Sequence, residues 1–306
     1  MDKVLITGGS GFIGSHLVDK MSINHKVIAI DNFFQNKKLK TFNKNVKIVK
    51  GDVRNKELIN YYSKNCSTIF HLAAIIGVDV VAERNIETME CEFIGLKNIC
   101  EAAKKNKVKK IIYSSSSGVY GTMNFEKNVK EDIPVAPVSA YAFAKRFGEI
   151  YLKNFYIENK IPTIAVRLFN VYGPRQDNRM VIPRFIEQAK KNKPITVYEK
   201  GNHTRDFTYI SDCIQTFYLL HKKKIKEFQI FNSSKGIDMS IKDLAKKIIK
   251  ETNSNSKIVS VKVPKKILQF QVEKRCGNSS KLKKFINFKP EININIGLKK
   301  TIDSIK

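Results

Sequence analysis

Short apolar runs alternate with amphipathic stretches through the first half of the chain. The runs have the length of buried strands, and the stretches between them place apolar residues at helical spacing. This alternation predicts an α/β fold with a doubly wound parallel sheet of the Rossmann type, wrapped by helices. Strands are predicted at residues 4–7, 26–31, 46–51, 68–72, 110–114 and 163–168, and helices from the first turn to about 21, at 88–105 and at 140–159.

The regular alternation fades after Gly173 and Pro174. We therefore predict a larger first domain, residues 1–173, and a smaller, mixed C-terminal lobe, residues 174–306, with segments such as 205–225 packing back onto the first domain. Helices in this part are expected at about 182–191, 211–222 and 240–251, the last of them opened by a serine N-cap.

The formal net charge of +28 at pH 7 suggests two hypotheses. One is that a positive field binds nucleic acid or a membrane surface. The other is compositional drift, since the excess is mostly lysine, spread along the chain beside many Asn and Ile residues whose codons share A and T. Clustered arginines interleaved with aromatic residues, which are typical of nucleic-acid binding, are not seen. We therefore favour drift and expect neither a nucleic-acid partner nor a membrane.

The cysteines and the N-terminal residues bear on the compartment. Five cysteines without a CxxC pair argue against both a zinc site and a disulfide framework, so no metal is expected. No signal peptide is recognised before the first strand, and no apolar run approaches the roughly 18 residues that span a bilayer. The expected location is the cytoplasm.

A glycine-rich turn, TGGSGFIG, follows the first predicted strand. Gly8, Gly11 and Gly14 permit a tight turn, close approach of the backbone to a pyrophosphate, and close packing of helix on sheet. Asp31 ends the next strand, where its carboxylate accepts hydrogen bonds from ribose hydroxyls and repels a 2′-phosphate. The arrangement predicts NAD rather than NADP. Asp52, after the third strand, is either a contact to the adenine edge or a solvated turn carboxylate.

A phenol and an ammonium lie four residues apart in the segment YAFAK, on one face of a predicted helix. A neighbouring ammonium favours the phenolate and lowers a pKa that is normally about 10, which would make Tyr141 a usable base near neutral pH beside Lys145. The segment SSSSGVYG, which ends the strand before this helix, supplies a serine to share the substrate's hydroxyl proton. Each feature alone is consistent with chance, but together they predict a catalytic site.

In these motifs the chain resembles the extended short-chain dehydrogenase/reductases of the nucleotide-sugar epimerase group, the family of UDP-glucose 4-epimerase. The matching segments keep the family's order over nearly the whole chain: TGGSGFIG, the Asp31 turn, HLAA, SSSSGVYG, YAFAK, RLFNVYGPRQ and RDFTYISD. The resemblance implies an NAD-binding first domain and a lobe that binds a nucleotide-diphosphate sugar. It also implies a homodimer, paired through the helix carrying Tyr141 and its neighbour near residues 88–105.

The resemblance further assigns roles to individual residues. The catalytic residues it implies are Ser116, Tyr141 and Lys145. The residues it implies at the cofactor are Gly8, Gly11, Phe12, Ile13, Gly14, Asp31, Asn32, Asp52, Val53, Leu72, Ala73, Ala74, Tyr141 and Lys145. Those it implies at the substrate are Ser116, Ser117, Asn170, Arg175, Val181 and Arg205. For the arginines, elementary chemistry agrees, because a guanidinium fork matches phosphate oxygens.

The two residues after the catalytic serine distinguish reactions within this group. Dehydratases of the group carry Asp-Glu there and uronate decarboxylases carry Ser-Glu, whereas this chain has Ser117 and Gly118. We therefore expect epimerisation at C4, in which Tyr141 removes the hydroxyl proton, hydride passes to NAD⁺, and a 4-keto sugar takes the hydride back on its other face. The runner-up is a decarboxylase or 4,6-dehydratase. The alternative from another class is a catalytically inactive relative that binds nucleic acid.

Two charged residues leave alternatives open. Glu92 lies in ECEFIG, where many relatives have Asn in D-x-N-x-x-G. Either it stands near the nicotinamide or sugar and supplies the acid that position 118 lacks, or it is a glutamate on the helix surface. Arg275, in KRCGNSSK, either pairs with a uronate carboxylate, reaches the diphosphate, or narrows the pocket.

Overall fold

The structure is a computed structural model that describes residues 1–34, 43–122, 128–264, 268 and 272–305. Its strands are β1 (Lys3–Thr7), β2 (Lys26–Asp31), β3 (Val46–Lys50), β4 (Cys66–His71), β5 (Lys110–Ser116), β6 (Thr163–Leu168), β7 (Asn170–Tyr172), β8 (Ile195–Tyr198), β9 (Thr204–Tyr209), β10 (Gln229–Ser233), β11 (Asp238–Ser240) and β12 (Ile258–Val261). Its helices are α1 (Phe12–Ser22), α2 (Lys56–Tyr62), α3 (Val78–Glu83), α4 (Asn85–Lys105), α5 (Ala140–Asn159), α6 (Val181–Lys190), α7 (Ile210–Lys222), α8 (Ile241–Glu251), α9 (Ser280–Ile286) and α10 (Ile294–Ser304).

The centre of the molecule is a parallel sheet with the strand order β10-β6-β5-β4-β1-β2-β3. Strand β1 pairs with β2 on one side and with β4 on the other, and Thr7 at its end aligns with both Ile30 and His71. The chain thus reverses its direction of winding beside β1, which confirms the predicted Rossmann-type, doubly wound fold. In such sheets the crevice for ligands opens outside the carboxyl ends of the strands at this reversal.

Apolar side chains on both faces of the sheet explain why its strands read as nearly continuous hydrophobic runs. In β1, Val4 and Ile6 join one core cluster and Leu5 joins the cluster on the opposite face. Helices α1 and α7 pack against each other, as do α4 and α5. The alternating burial within one strand therefore anchors both helical layers.

The second half of the chain contributes to the central sheet as well as to smaller sheets. Strand β10 pairs with β6 and extends the sheet at its edge, and α7 packs on α1. The smaller sheets have the orders β11-β9-β7 and β12-β8. Helix α8 begins after Ser240, whose side chain accepts a hydrogen bond from the Asp243 N–H, so the expected serine N-cap is present. The strands after β6 were not predicted. The domain boundary at 174 stays a prediction.

The described segments also bear on whether the chain crosses a membrane or binds a metal. No helix there combines the length and the apolar character needed to cross a membrane. Within the same segments, no cluster of three or more His, Cys, Asp or Glu side chains has the arrangement of a metal site. The cysteines are free thiols.

Candidate active site

A cleft of about 410 Å³ opens at the carboxyl ends of β1, β2, β4 and β5. It gathers most of the residues proposed at cofactor and substrate, which lie far apart in the sequence. Those that line it are Gly8, Gly11, Phe12, Ile13, Gly14, Asp31, Asn32, Asp52, Val53, Leu72, Ala73, Ala74, Ser116, Ser117, Tyr141, Lys145 and Asn170. The motifs named in the sequence thus meet at one place in the fold.

The glycine-rich turn forms a cradle that side chains would fill. Gly8 has a φ of +69°, and a Cβ there would lie 2.8 Å from the backbone nitrogen of Ala73. A Cβ on Gly14 would clash with the carbonyl oxygen of Gly8. Helix α1 begins after Gly11 without a side-chain cap, and its first residues, Phe12, Ile13 and Gly14, line the cleft. These features fit a pyrophosphate at the helix N-terminus.

Asp31 lies at the end of β2 beside this turn. Its two carboxylate oxygens accept hydrogen bonds from the backbone N–H groups of Ser10 (3.0 Å) and Phe33 (2.8 Å). Burial raises the pKa of Asp31, and the backbone hydrogen bonds oppose that rise. A carboxylate held in this way fits a ribose hydroxyl better than a 2′-phosphate.

Asp52 also borders the cleft, but it is not a free turn carboxylate. Arg54 donates hydrogen bonds to both carboxylate oxygens of Asp52, with nitrogen–oxygen distances of 3.0 and 2.7 Å. This bond lowers the pKa of Asp52. Arg54 lines the cleft too, and sequence reasoning missed it. The only signal was the spacing of an Asp two residues before an Arg after the third strand.

The three proposed catalytic residues come from two neighbouring elements. Ser116 ends β5 and caps the short 3-10 helix Ser117–Tyr120 by accepting a hydrogen bond from Gly118 N–H at 3.0 Å. Tyr141 and Lys145 lie on the first two turns of α5, which Ser139 caps. Ser116 is hydrogen-bonded to the Tyr141 side chain. The Lys145 ammonium lies 5.7 Å from the centre of the Tyr141 ring. The three side chains thus converge on the cleft wall.

The expected fall in the pKa of Tyr141 is wrong for the protein without ligands. Burial raises this pKa above its ordinary value; Lys145 and the hydrogen bond with Ser116 oppose the rise, and Glu92 adds to it. Lys145 alone would lower the pKa, but the desolvation of the phenol and the neighbouring carboxylate outweigh it.

Glu92 is not on the surface of its helix, so that interpretation is wrong. Its side chain is 1% exposed. One carboxylate oxygen lies 2.5 Å from the Lys145 ammonium, and the other accepts a hydrogen bond from the Tyr113 hydroxyl at 2.8 Å. Glu92 does not line the cleft. The structure therefore places it behind Lys145 rather than at a substrate. Tyr113 was not predicted, because in the sequence it reads as an ordinary core aromatic.

Four residues proposed at the substrate do not line the cleft as described. Arg175 is half-exposed and pairs with Asp19 of α1 at 2.6 Å. Val181 is the first residue of α6. Arg205 donates to backbone carbonyls, among them that of Val272. Arg275 donates to the carbonyl of Gly121. Their roles stay predictions.

Comparison with known proteins places this geometry in a family. Residues 4–233 match the model of the NAD dependent epimerase/dehydratase family. A UDP-N-acetyl-alpha-D-glucosaminuronate decarboxylase from Bacillus cytotoxicus is 34% identical, over 98% of this chain and 96% of that protein.

Solved structures agree with this match. The UDP-glucose 4-epimerase of Thermotoga maritima, solved with UDP-glucose, superposes with a TM-score of 0.93 at 28% identity, over 99% of this chain and 98% of that one. The UDP-N-acetylglucosamine 4-epimerase of Methanobrevibacter ruminantium gives a TM-score of 0.92 at 30% identity, over 99% and 97%. The chain therefore belongs to the NAD dependent epimerase/dehydratase family.

Proposed function

We propose that the protein is a nucleotide-sugar 4-epimerase. The observation that carries this proposal is the convergence of Ser116, Tyr141 and Lys145 on a cleft whose far end is the glycine-rich cradle. The Tyr141 phenol, which can exchange a proton, therefore lies beside the proposed dinucleotide site. Together these features suit proton transfer coupled to hydride transfer at one sugar carbon.

The chain's own residues divide the work as follows. The backbone of the glycine turn would hold the pyrophosphate of NAD, and Asp31 its adenosine ribose. NAD, when bound, supplies the acceptor and donor of hydride. Tyr141, in its ionised phenolate form, would take the proton of the C4 hydroxyl and later return it, while Ser116 orients that hydroxyl by hydrogen bonding. Lys145 holds positive charge beside the phenol as its proton leaves.

Two arginines support a diphosphate as the anchor of the substrate. Arg205 and Arg275 are partly buried neighbours, and the hydrogen bonds described for their guanidinium groups go to backbone carbonyls. Burial lowers the pKa of each below its ordinary value, and for Arg275 the charge of Arg205 adds to that effect. Two neighbouring buried cations without acids are costly unless an anion joins them. We assign that anion as the diphosphate of the nucleotide sugar.

The carboxylates of the cleft favour epimerisation over elimination. Within the described part of its lining, each one is already bound by a cation or by backbone N–H groups. These acids are Asp31, Asp52, Glu87 and Asp177, bound by the backbone of Ser10 and Phe33, by Arg54, by Arg84 and by Arg179. Position 118 is a glycine, and Glu92 is turned to Lys145. No acid in the described part of the cleft lining is therefore without such a partner. The decarboxylase similarity nevertheless makes a uronate decarboxylase the second candidate.

Product identification tests the proposal. The protein is incubated with NAD and with UDP-, GDP-, dTDP- and CDP-sugars, including UDP-N-acetylglucosaminuronate, and products are identified by NMR. Inversion at C4 with no loss of mass is expected. Release of CO₂ or water would contradict simple epimerisation and support the second candidate.

Replacement of the base sharpens the test. Tyr141→Phe is expected to lower kcat by about 10²- to 10⁴-fold, because it removes the group that exchanges the proton. Tyr156→Phe, on the same helix but outside the cleft lining, is the matched control and should retain turnover. Unchanged turnover in Tyr141→Phe would refute the mechanism.

We also propose that the protein is a homodimer paired through α4 and α5. These helices pack on each other, and Phe93 of α4 meets Phe147 of α5 at a centroid distance of 4.2 Å. Their outer faces leave large apolar side chains in solvent, which is typical of an interface. The exposed residues are Ile86, Ile94, Phe143, Ile150 and Ile157. Light scattering should give twice the mass of the chain, and a monomer at micromolar concentration would contradict the proposal.

A further inference from the structure

We propose that Glu92 is a positioning residue that binds the Lys145 ammonium and thereby sets the pH at which Tyr141 releases its proton. The inference rests on the proposed function in one respect, because it takes Tyr141 as the base. It goes beyond that function by assigning control of the base to a residue that touches neither cleft nor substrate.

Glu92 and Lys145 form a fully buried ion pair between α4 and α5. The Oε1–Nζ distance is 2.5 Å, and each side chain is 1% exposed. The second oxygen of Glu92 accepts a hydrogen bond from the Tyr113 hydroxyl of β5 at 2.8 Å. The ammonium lies 4.7 Å from the Tyr113 ring centre and 5.7 Å from that of Tyr141. Lys145 therefore lies between a carboxylate behind it and the proposed base in front.

The other titratable groups around this pair are neutral or already paired at neutral pH. They are His71 of β4, Cys91 of α4, Tyr113 of β5, and Tyr141 and Glu149 of α5. Burial lowers the pKa of His71 to about 3 and raises that of Cys91 to about 12. Burial also raises the pKa of Tyr113. Arg167 donates hydrogen bonds to both carboxylate oxygens of Glu149. The net charge next to Tyr141 therefore depends on Glu92 and Lys145.

This charge balance decides how easily a proton leaves the site. With Glu92 ionised, the buried side chains of Glu92, Lys145 and Tyr141 together carry no net charge. Loss of the Tyr141 proton then leaves them with a net negative charge. Without the Glu92 charge, the same loss turns a buried cation into a neutral pair of phenolate and ammonium. Desolvation penalises net charge, so the second process requires a lower pH. Glu92 thus holds Lys145 in its charged form and at the same time restrains Tyr141.

A titration of tyrosinate absorbance in the near ultraviolet tests this directly, in the protein without substrate. The signal of Tyr141 is the difference between each variant and its Tyr141→Phe counterpart. In Glu92→Gln the midpoint of this signal should fall by at least about one pH unit, which is a tenfold change in the ionisation constant. Glu92→Asp, which keeps the charge, should return the midpoint toward that of the wild type. A midpoint that Glu92→Gln leaves unmoved or raises would overturn the proposal.

A matched control separates the charge of Glu92 from a general effect of removing a glutamate. Glu101→Gln is the same substitution on the same helix, where the carboxylate pairs with Lys56 at the surface. Its midpoint should equal that of the wild type, and an equal fall there would overturn the proposal. Should Glu92→Gln fail to fold, Tyr113→Phe provides a second test. It removes the hydroxyl that shields Glu92, so the midpoint should rise, and a fall would contradict the proposal.

The titration and the product assay can fail independently. If the midpoint moves with Glu92 but no sugar is epimerised, the link between Glu92 and Tyr141 stands and the proposed function fails. If epimerisation occurs and the midpoint does not respond to Glu92, the function stands and this inference fails. In an active enzyme, the acid limb of the pH profile of kcat/KM should also shift to lower pH in Glu92→Gln.

Discussion

Two buried ion pairs share helix α5, and they differ in their cation. Lys145 pairs with Glu92 across the helices α5 and α4, and Glu149, one turn further along α5, pairs with Arg167 of β6. All four side chains are almost completely withdrawn from solvent. Burial is thus equal in the two pairs, whereas the chemistry of the cation is not.

The arginine pair is bound on every side. Its guanidinium meets both oxygens of Glu149 at 2.8 Å and also donates to the Tyr120 hydroxyl at 3.0 Å. Ser115 donates to the same carboxylate at 2.6 Å. The pKa of Arg167 is raised despite its burial, because Glu149 more than offsets the desolvation. This pair holds α5 against the sheet, and its guanidinium stays protonated.

The lysine pair has fewer bonds and lies at the cleft wall. An ammonium can lose its proton when its surroundings change, whereas a guanidinium in a protein cannot. The arginine pair therefore fixes the geometry of α5, whereas the lysine pair provides a charge beside Tyr141 that can change. The comparison teaches that the type of cation, rather than burial, separates a structural ion pair from one suited to chemistry.

The largest effect should follow removal of the carboxylate from the arginine pair. Glu149→Gln leaves a buried guanidinium that cannot deprotonate, so the free energy of unfolding should fall by about 3–5 kcal/mol. Urea unfolding measures this, with the surface variant Glu101→Gln as the control that should stay close to the wild type. A loss below about 1 kcal/mol would break the distinction between the two pairs.

A smaller and pH-dependent effect is expected for the lysine pair. Glu92→Gln should lower the free energy of unfolding by about 1–3 kcal/mol near pH 7. Without Glu92, the buried group formed by Tyr141 and the Lys145 ammonium should release its first proton, from the phenol, at a pH below the unfolded tyrosine value of about 10. Between these two values the unfolded chain binds more protons, so stability of the variant rises with pH.

The wild type should not gain stability in the same range. Its Lys145 pKa is raised, because Glu92 outweighs the desolvation that would lower it. The difference between wild type and variant should therefore shrink between about pH 7 and pH 9.5. Urea unfolding at both values checks this. A difference that is constant or grows with pH would show that Tyr141 and Lys145 hold both of their protons in the variant as firmly as in the wild type.

The smallest effect should come from exchanging the cation of the structural pair. Arg167→Lys keeps a positive charge but loses the fork that reaches both carboxylate oxygens and Tyr120. The free energy of unfolding should fall by about 1–2 kcal/mol, less than in Glu149→Gln, since the charges remain paired. Equal losses in the two variants would mean that geometry, rather than an unpaired charge, determines the stability of this cluster.

The sequence by itself determined the fold class and the cofactor end of the cleft. Strand and helix periods follow from local burial, and the glycine turn is dictated by backbone sterics at Gly8 and Gly14. The proposed catalytic residues Ser116, Tyr141 and Lys145 could also be predicted from the sequence, because their motifs are contiguous along the chain. These features depend on residues that are close together in the sequence, so the sequence predicts them.

Tertiary structure decided what depends on residues distant in the chain. The pairing of β10 with β6 follows from packing of the completed sheet, and no local sequence pattern predicted it. Glu92 is 53 positions from Lys145 and 21 from Tyr113. Of the two positions that the sequence left open for it, at the site or on the helix surface, neither matches its place as a buried partner of Lys145. The pKa of Tyr141 depends on desolvation and on this carboxylate together. Burial and charge pairing are sums over neighbours in space, and these neighbours exist only once the chain has folded.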